Sequence, residues 1–380
     1  MVATDSLLEA FRGYFSKGCK PYDQFKTGFE LEHFIVGQND RNVCYSSPGG
    51  AEQLLGALAS RFPERAEENG RLLGLSDGEM ALTLEPGGQL EVSIVPKASI
   101  AGAQAVYRRF RALVDPLLEA RGSRLVQRGY LPASSVKEIE LIPKERYRRM
   151  DAHFQTSGSM GRNMMRGTAA CHISIDYTSE ADFIDKYRCA CLLGPMLAWL
   201  SSNTPVFEGR PNRNPLLRAH IWRNVDPARC LVPDIFAEGF GFEAYAKFVL
   251  RAPEILSPAE GDDLIPLQLS IVFPEVRLRQ YIELRAADSM PEDKAFAYMA
   301  LVKGLFADMP RLKALLAGFE WSQAALDAAQ DAITQNGSKA VVYGMPLKAF
   351  TAKLTALAGE NLGGEKTYLE KLYFERGFAL

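Results

Sequence analysis

Apolar positions recur along this chain with two different periods. Spacing of three and four residues predicts helices over Met1–Phe15 (Leu7, Leu8, Phe11, Phe15) and after the Ser46–Gly50 turn (Leu54, Leu55, Leu58, Phe62). It predicts three more over Ser99–Arg121, Ser179–Ser201 and Phe242–Leu250, with Ser179 as an N-cap. Extended stretches fall between them: Gly28–Val36, Gly70–Leu75, Met80–Leu84, Gln89–Val95, Ala170–Tyr177 and Tyr281–Arg285. Asp77-Gly78-Glu79 reads as a hairpin turn between two of these. Asn203–Pro233, rich in Pro, Asn and Arg and without periodicity, reads as a long ordered loop, and Pro253–Pro266 as another loop. From Pro291 onward the pattern is helical, broken at Asn336-Gly337. Strands scattered among helices, without regular alternation, exclude a doubly wound parallel sheet. The expectation is an α+β fold with a largely antiparallel sheet flanked by helices. Residues 1–380 form one domain, with a sheet-containing core over 1–290 and a mostly helical part over 291–380.

Composition narrows the function classes. A net charge of -2 over 380 residues argues against a general binder of nucleic acid or anionic membrane. The opening helix lacks the apolar segment of a secretory signal, and runs such as Cys191–Leu200 are too short to span a bilayer. Six cysteines in a chain this long do not make a disulfide framework, and Cys189-Ala-Cys191 is not a usual zinc spacing. Free thiols in a cytoplasmic protein are expected. Arginines between Arg108 and Arg229 point to local handling of anions.

Four extended stretches carry the candidate chemistry. In Gly28-Phe29-Glu30-Leu31-Glu32, strand alternation sends Glu30 and Glu32 to one face. Taken alone, such a pair is most simply a solvated sheet face, although Phe34 and Val36 on the same side do not belong in water. Glu85 and Glu91 flank a Pro86-Gly87-Gly88 turn, and Glu283 and Arg285 share a face of Tyr281–Arg285. His172, Ser174 and Asp176 share a face of Ala170–Tyr177. Exposed acids, a surface ion pair and a hydrogen-bonded histidine are the plain alternatives. Together the four stretches have the composition of an oxygen-rich site for Mg²⁺ or Mn²⁺ beside a phosphate. There is no Gly-rich loop ending in Gly-Lys-Ser/Thr and no dinucleotide fingerprint after a strand.

The segments GFELEHF, LEPGGQLEVS, IPKERYRRM, HISIDYTSEAD, PVFEGRPN, HIWRNVDPAR, GFGFEAYAKFVL and FPEVRLRQYIELRAAD occur in this order. In that combination the chain, from about Gly28 to Pro291, resembles glutamate–cysteine ligases of the plant and proteobacterial type. The resemblance implies a saddle-shaped antiparallel sheet like that of glutamine synthetase. It implies a ligase that activates the side-chain carboxylate of glutamate with ATP and passes it to the amine of cysteine. By resemblance Glu30, Glu32, Glu85, Glu91, His172 and Glu283 are metal ligands, and Glu283 and Arg285 serve catalysis, with Arg285 at the transferring phosphate. Arg229 is the expected partner of the glutamate α-carboxylate, with Arg218 and Trp222 lining the same pocket; Arg146 or Arg149 is expected near the nucleotide. Ser174 stands in place of a usual Asn, Gly167 in place of a common Arg, and the stretch after Leu284 lacks the usual glycines. These departures leave the acceptor open between cysteine and another amine. A non-catalytic relative with the same fold is a third reading. The expected partners are small molecules, with neither nucleic acid nor membrane, for a monomer or homodimer.

Overall fold

The structure is a computed structural model, and residues 2–256 and 263–372 are described. A helix α1 (Val2–Ser16) leads into the strand β1 (Thr27–Val36). After α2 (Ala51–Leu58) come β2 (Glu64–Glu68), β3 (Arg71–Ser76), β4 (Met80–Leu84) and β5 (Leu90–Lys97). Then follow α3 (Ile100–Glu119), β6 (Arg124–Val126), α4 (Glu145–Phe154), β7 (Ala170–Ile175) and α5 (Glu180–Ser201). A small hairpin, β8 (Val206–Phe207) and β9 (Arg210–Pro211), precedes α6 (Leu217–Arg223), α7 (Pro227–Cys230), α8 (Phe242–Arg251) and α9 (Leu264–Leu269). β10 (Val276–Leu278) and β11 (Ile282–Asp288) complete the main sheet. Helices α10 (Glu292–Phe306), α11 (Met309–Leu316), α12 (Gln323–Asn336) and α13 (Leu347–Asn361) follow, with the hairpin β12 (Val341–Val342) and β13 (Met345–Pro346) before the last.

The main sheet runs in the order β10-β11-β7-β1-β5-β4-β3-β2, with β6 also pairing with β1. Each of its pairings is antiparallel. β1 therefore lies near the middle, between β5 and β7. Its rear residues pack against helices: Phe29 stacks on Phe296 of α10 at 4.6 Å between ring centres and meets Tyr107 of α3 edge-on. His33 hydrogen-bonds the Leu90 carbonyl and the Tyr107 hydroxyl, and burial pushes its pKa down to about 3, so it is a neutral core residue. Phe34 and Val36 are fully buried where β1 turns to pair with β6.

The helices start where the sequence signals them. Ser99 and Ser179 each accept an N–H from the first turn of the following helix, Gly102 and Asp182. α12 ends at Gly337, whose φ is 52°. One expectation is corrected, and one stretch given no element turns out to be a strand. Asn203–Pro233 is not simply a loop; it holds the β8–β9 hairpin and two helices, too short to display a helical period. β2 is a strand with no apolar alternation, because it is the charged, exposed edge of the sheet. The Pro253–Pro266 loop lies partly outside the described residues. No helix among the described residues is long and apolar enough to cross a membrane. The buried core runs as one cluster from Phe11 to Leu369, so the C-terminal helices share it with the sheet.

Candidate active site

Strand register brings the acidic residues together. Glu32 on β1 is paired with Glu91 on β5, and Glu30 with His172 on β7. Glu283 on β11 is paired with Ser174, and with Arg277 on its other side. Because successive strand residues alternate faces, this front face carries Glu91, Glu32, Glu30, His172, Glu283 and Arg277 in a row. Glu85 enters the row from the β4–β5 hairpin. Its turn needs glycine: Gly88 has φ of 83°, and a Cβ on Gly87 would stand 2.8 Å from the Arg166 carbonyl oxygen. The row floors a cavity of about 360 Å³. Lys144, Arg146 and Tyr147 from α4, Met164 and Met165 from a turn of π-helix, and Arg218 and Trp222 from α6 wall it.

Two groups of ligand-type atoms stand close enough to share an ion, each set within 4.8 Å: Glu30, His172 and Glu283, and Glu32, Glu85 and Glu91. Their protonation fits that use. Burial and the neighbouring Glu283 push Glu30 up to about 7; burial and Glu91 do the same to Glu85, and burial and Glu30 to Glu91. Glu32 is pushed well above the usual carboxylate range by burial, then by Glu85 and Glu91. Four carboxyls crowded together without a cation cannot all hold charge comfortably. Glu283 differs. Burial works to raise it, but the guanidiniums of Arg277 and Arg285 outweigh burial and hold it well below the usual range. Both arginines bond one oxygen, Oε2, at 2.7 and 3.0 Å, which leaves Oε1 for another partner.

His172 is neutral, its pKa driven well below the usual value by burial and then by Arg285. Its 3.3 Å approach to Glu30 is therefore a hydrogen bond from Nδ1, not an ion pair. Its Nε2 is buried with no partner among the described residues. A neutral imidazole oriented by a carboxylate, with its second nitrogen unspent, is a metal-ligand arrangement. Five carboxylates and one imidazole suit a hard divalent cation. Supporting bonds keep the carboxylates in place: Thr83 and Ser93 donate to Glu91 at 2.8 and 2.9 Å, and the Ala170 N–H to Glu32 at 2.8 Å.

Glu30, Glu32, Glu85, Glu91, His172, Glu283, Arg285, Arg146, Arg218 and Trp222 all line the basin. Arg229 does not. It is fully buried, its Nε bonded to Asp226 and its other nitrogens to the carbonyls of Ile271 and Pro253, so each nitrogen is engaged inside the protein and outside the basin. Arg218 has a nitrogen to spare instead. Its Nε holds the Arg285 carbonyl at 3.0 Å, its guanidinium lies 3.9 Å over the Trp222 ring, and its Nη1 is buried without a partner among the described residues. Arg149 is likewise outside. The α4 face set by Arg146, Tyr147 and Met150 leaves it exposed, with Nε on Glu145 at 2.9 Å. Three charged basin residues were not singled out in the sequence: Arg277, Arg279 and Lys144. The alternation Val276-Arg277-Leu278-Arg279 ahead of a Glu-bearing strand is the signal for the two arginines, once the stretch is paired as a hairpin.

One basin thus brings two candidate cation clusters on an antiparallel sheet against a bank of arginines. The sequence model of glutamate-cysteine ligase family 2 matches residues 26–366. The chloroplastic glutamate–cysteine ligase of Nicotiana tabacum is 30% identical over 396 residues, covering 95% of this chain and 75% of the relative. That of Arabidopsis thaliana is 29% identical over 394 residues, with the same shares. The crystal structure of a Francisella tularensis glutamate–cysteine ligase in complex with AMP superposes with a TM-score of 0.59 at 11% identity, over 92% of this chain and 82% of that one. The chain belongs to glutamate-cysteine ligase family 2 and is a ligase.

Proposed function

We propose that the basin joins glutamate to cysteine at the expense of ATP, and that its residues divide the work as follows. An oxygen of the glutamate side-chain carboxylate takes the terminal phosphoryl group from ATP, releasing ADP. The cysteine nitrogen then attacks the acyl carbon, phosphate leaves and the nitrogen gives up a proton. The observation that carries this reading is the opposition, on one sheet face, of the two acidic clusters and the arginines Arg146, Arg277, Arg279 and Arg285. A polyphosphate and a carboxylate repel each other, so the reaction needs positive charge between them.

Glu30, His172 and Glu283 would hold one Mg²⁺ or Mn²⁺, and Glu32, Glu85 and Glu91 another. Such ions neutralise phosphate oxygens and polarise the phosphorus. Arg285, anchored by Glu283 and with its Nε unspent, meets the transferring phosphate. Arg146, fixed to Ser270 at 2.8 Å, and Arg279 bind the nucleotide's phosphates. Arg218 takes the role first given to Arg229, a guanidinium for the α-carboxylate of glutamate. All six cysteines are free thiols, which supports a reducing, cytoplasmic location. The test is ADP release from ATP, Mg²⁺ and glutamate, with and without cysteine. A rate that cysteine does not raise would overturn the reading.

A different amine acceptor is the second reading, favoured by one local departure. Gly167 packs against Tyr130 so closely that a Cβ there would lie 2.6 Å from the ring, and the adjacent Arg166 is spent on Asp151 and the Ile139 carbonyl. The arginine common ahead of this strand is thus withdrawn from the basin. A panel of amines offered in place of cysteine separates the two readings.

A further inference from the structure

A second, larger cavity of about 760 Å³ lies behind Trp222, on the side away from the acidic clusters. Small-molecule sites commonly measure about 300–1,000 Å³. Tyr187, Trp222, Phe236, Trp321 and Leu326 contribute its apolar walls. The polar tips of two of these are already used inside the protein: the Tyr187 hydroxyl donates to the Val276 carbonyl at 2.7 Å, and Trp321 Nε1 to the Leu316 carbonyl at 3.1 Å. Phe236 and Trp321 meet edge-on at 6.5 Å. A carboxylate, Glu275, intrudes on this wall. It lies over the bare backbone of α5, with Oε2 3.6 Å from where a Cβ on Gly194 would be.

Glu275 is short of a cation. Among the described residues no hydrogen bond or ion pair reaches its carboxylate. Arg223, at the cavity's edge, is engaged by Asp327 at 2.5 Å and by Asp331 at 3.9 Å. Arg218 is turned to the Arg285 carbonyl and the Trp222 ring. Burial raises the Glu275 carboxyl above its usual range, and the charges of Arg223 and Arg218 offset that only in part, a cost that a bound cation would remove. A carboxylate without a bonded cation, among indole and phenyl rings, is the chemistry that recognises an ammonium group on an apolar body. Asp234 and Asp327 also line the cavity, but among the described residues they form no group with Glu275 close enough to share a metal ion.

We propose that this cavity is a binding site for a small organic amine, with the ammonium on Glu275 and the apolar part among Trp222, Trp321, Phe236 and Leu326. The site is separate from the ligation basin, and Trp222 is the wall they share. Its ligand therefore presses on the residue that supports Arg218.

The probes are phenethylamine and its neutral counterpart 2-phenylethanol, titrated calorimetrically into the full chain, with tryptophan fluorescence as a second readout. The expected result is saturable binding of the amine, at least tenfold tighter than the alcohol and retained with Mg²⁺, ATP and glutamate at saturation. Glu275→Gln should weaken the amine at least tenfold and leave the alcohol unchanged. Leu326→Trp, on α12 and remote from the basin, should abolish binding of both by filling the space. Equal affinity for amine and alcohol would overturn the proposal, as would indifference to Glu275→Gln or displacement of the amine by the substrates. Ligation assayed in parallel keeps the two conclusions apart: amine binding lost with turnover intact counts only against this site.

Discussion

Arg218 and Arg229 come from one stretch of chain and differ in what surrounds them. Arg229 has each nitrogen bonded and a buried Asp226 beside it. Arg218 keeps Nη1 without a partner at the basin wall. Arg218→Lys should therefore raise the KM for glutamate about tenfold or more, since a lysine cannot reproduce a planar fork, with little change in Tm. Arg229→Ala should instead lower stability by about 3 kcal/mol, because it breaks a buried ion pair with Asp226 and strands two carbonyls. Thermal melts beside initial-rate kinetics check the pair; equal KM effects would show that both arginines touch substrate. At Glu283 the charge is shared between Arg277, Arg285 and the cluster with Glu30 and His172. Glu283→Gln should cut kcat by about 10³-fold and weaken Mn²⁺ binding seen by electron paramagnetic resonance. Ligation at the parent rate would remove Glu283 from the site.

At the scale of the sheet, the carboxyls of β1, β5 and the turn that precedes β5 act as a group. Four of them, Glu30, Glu32, Glu85 and Glu91, take up protons more readily folded than unfolded. A carboxyl raised to about 7 in the fold contributes stability below its unfolded pKa, and loses it as pH rises toward 7. His33 and His172 act in the opposite sense over the same range, since both are depressed and remain neutral when folded. Four groups outweigh two, so the metal-free protein should lose Tm between about pH 4.5 and pH 7.5. Mg²⁺ should restore it, with a shift that grows with pH and vanishes near pH 5, because ion and protons compete for the same oxygens. A Mg²⁺ shift independent of pH in differential scanning fluorimetry would contradict this. Most strands of the main sheet were legible from alternation, but β2, β6 and β10 were not; the last two are three residues each, too short to show a period. An edge strand facing water on both sides has no apolar residue to mark its period.

For the whole molecule, one buried cluster joins α1, the sheet and the C-terminal helices. A single calorimetric unfolding transition is therefore expected for residues 1–380, treated as one domain, rather than separate melting of 291–380. The contact between α10 and α13 is close: a Cβ on Gly304 would lie 2.5 Å from the Ala358 carbonyl oxygen. Backbone cannot give way as a flexible side chain can. Gly304→Ala should cost about 1–3 kcal/mol and lower the one transition without dividing it, leaving the KM for ATP unchanged. Two resolved transitions would show that the helical part folds alone.

Alternation by itself determined which residues of each strand share a face, because the period of two is a property of the extended backbone. It put Glu30 beside Glu32 and Glu283 beside Arg285, and the order of motifs pointed to the family. It did not decide which strands are neighbours. Pairing of β1 with β5 and β7, and of β7 with β11, is long-range, and only that pairing turns separate acids into two clusters. Nor did residue type separate Arg218 from Arg229, or Arg146 from Arg149. Whether a guanidinium is spent on the protein or left for a substrate depends on the carbonyls and carboxylates that folding brings against it. For Glu30 and Glu32, the plain reading as solvated acids fails for the same reason: β5, β7, β11 and the turn before β5 bring three more carboxylates and an imidazole onto their face, and α4 and α6 wall it off from water.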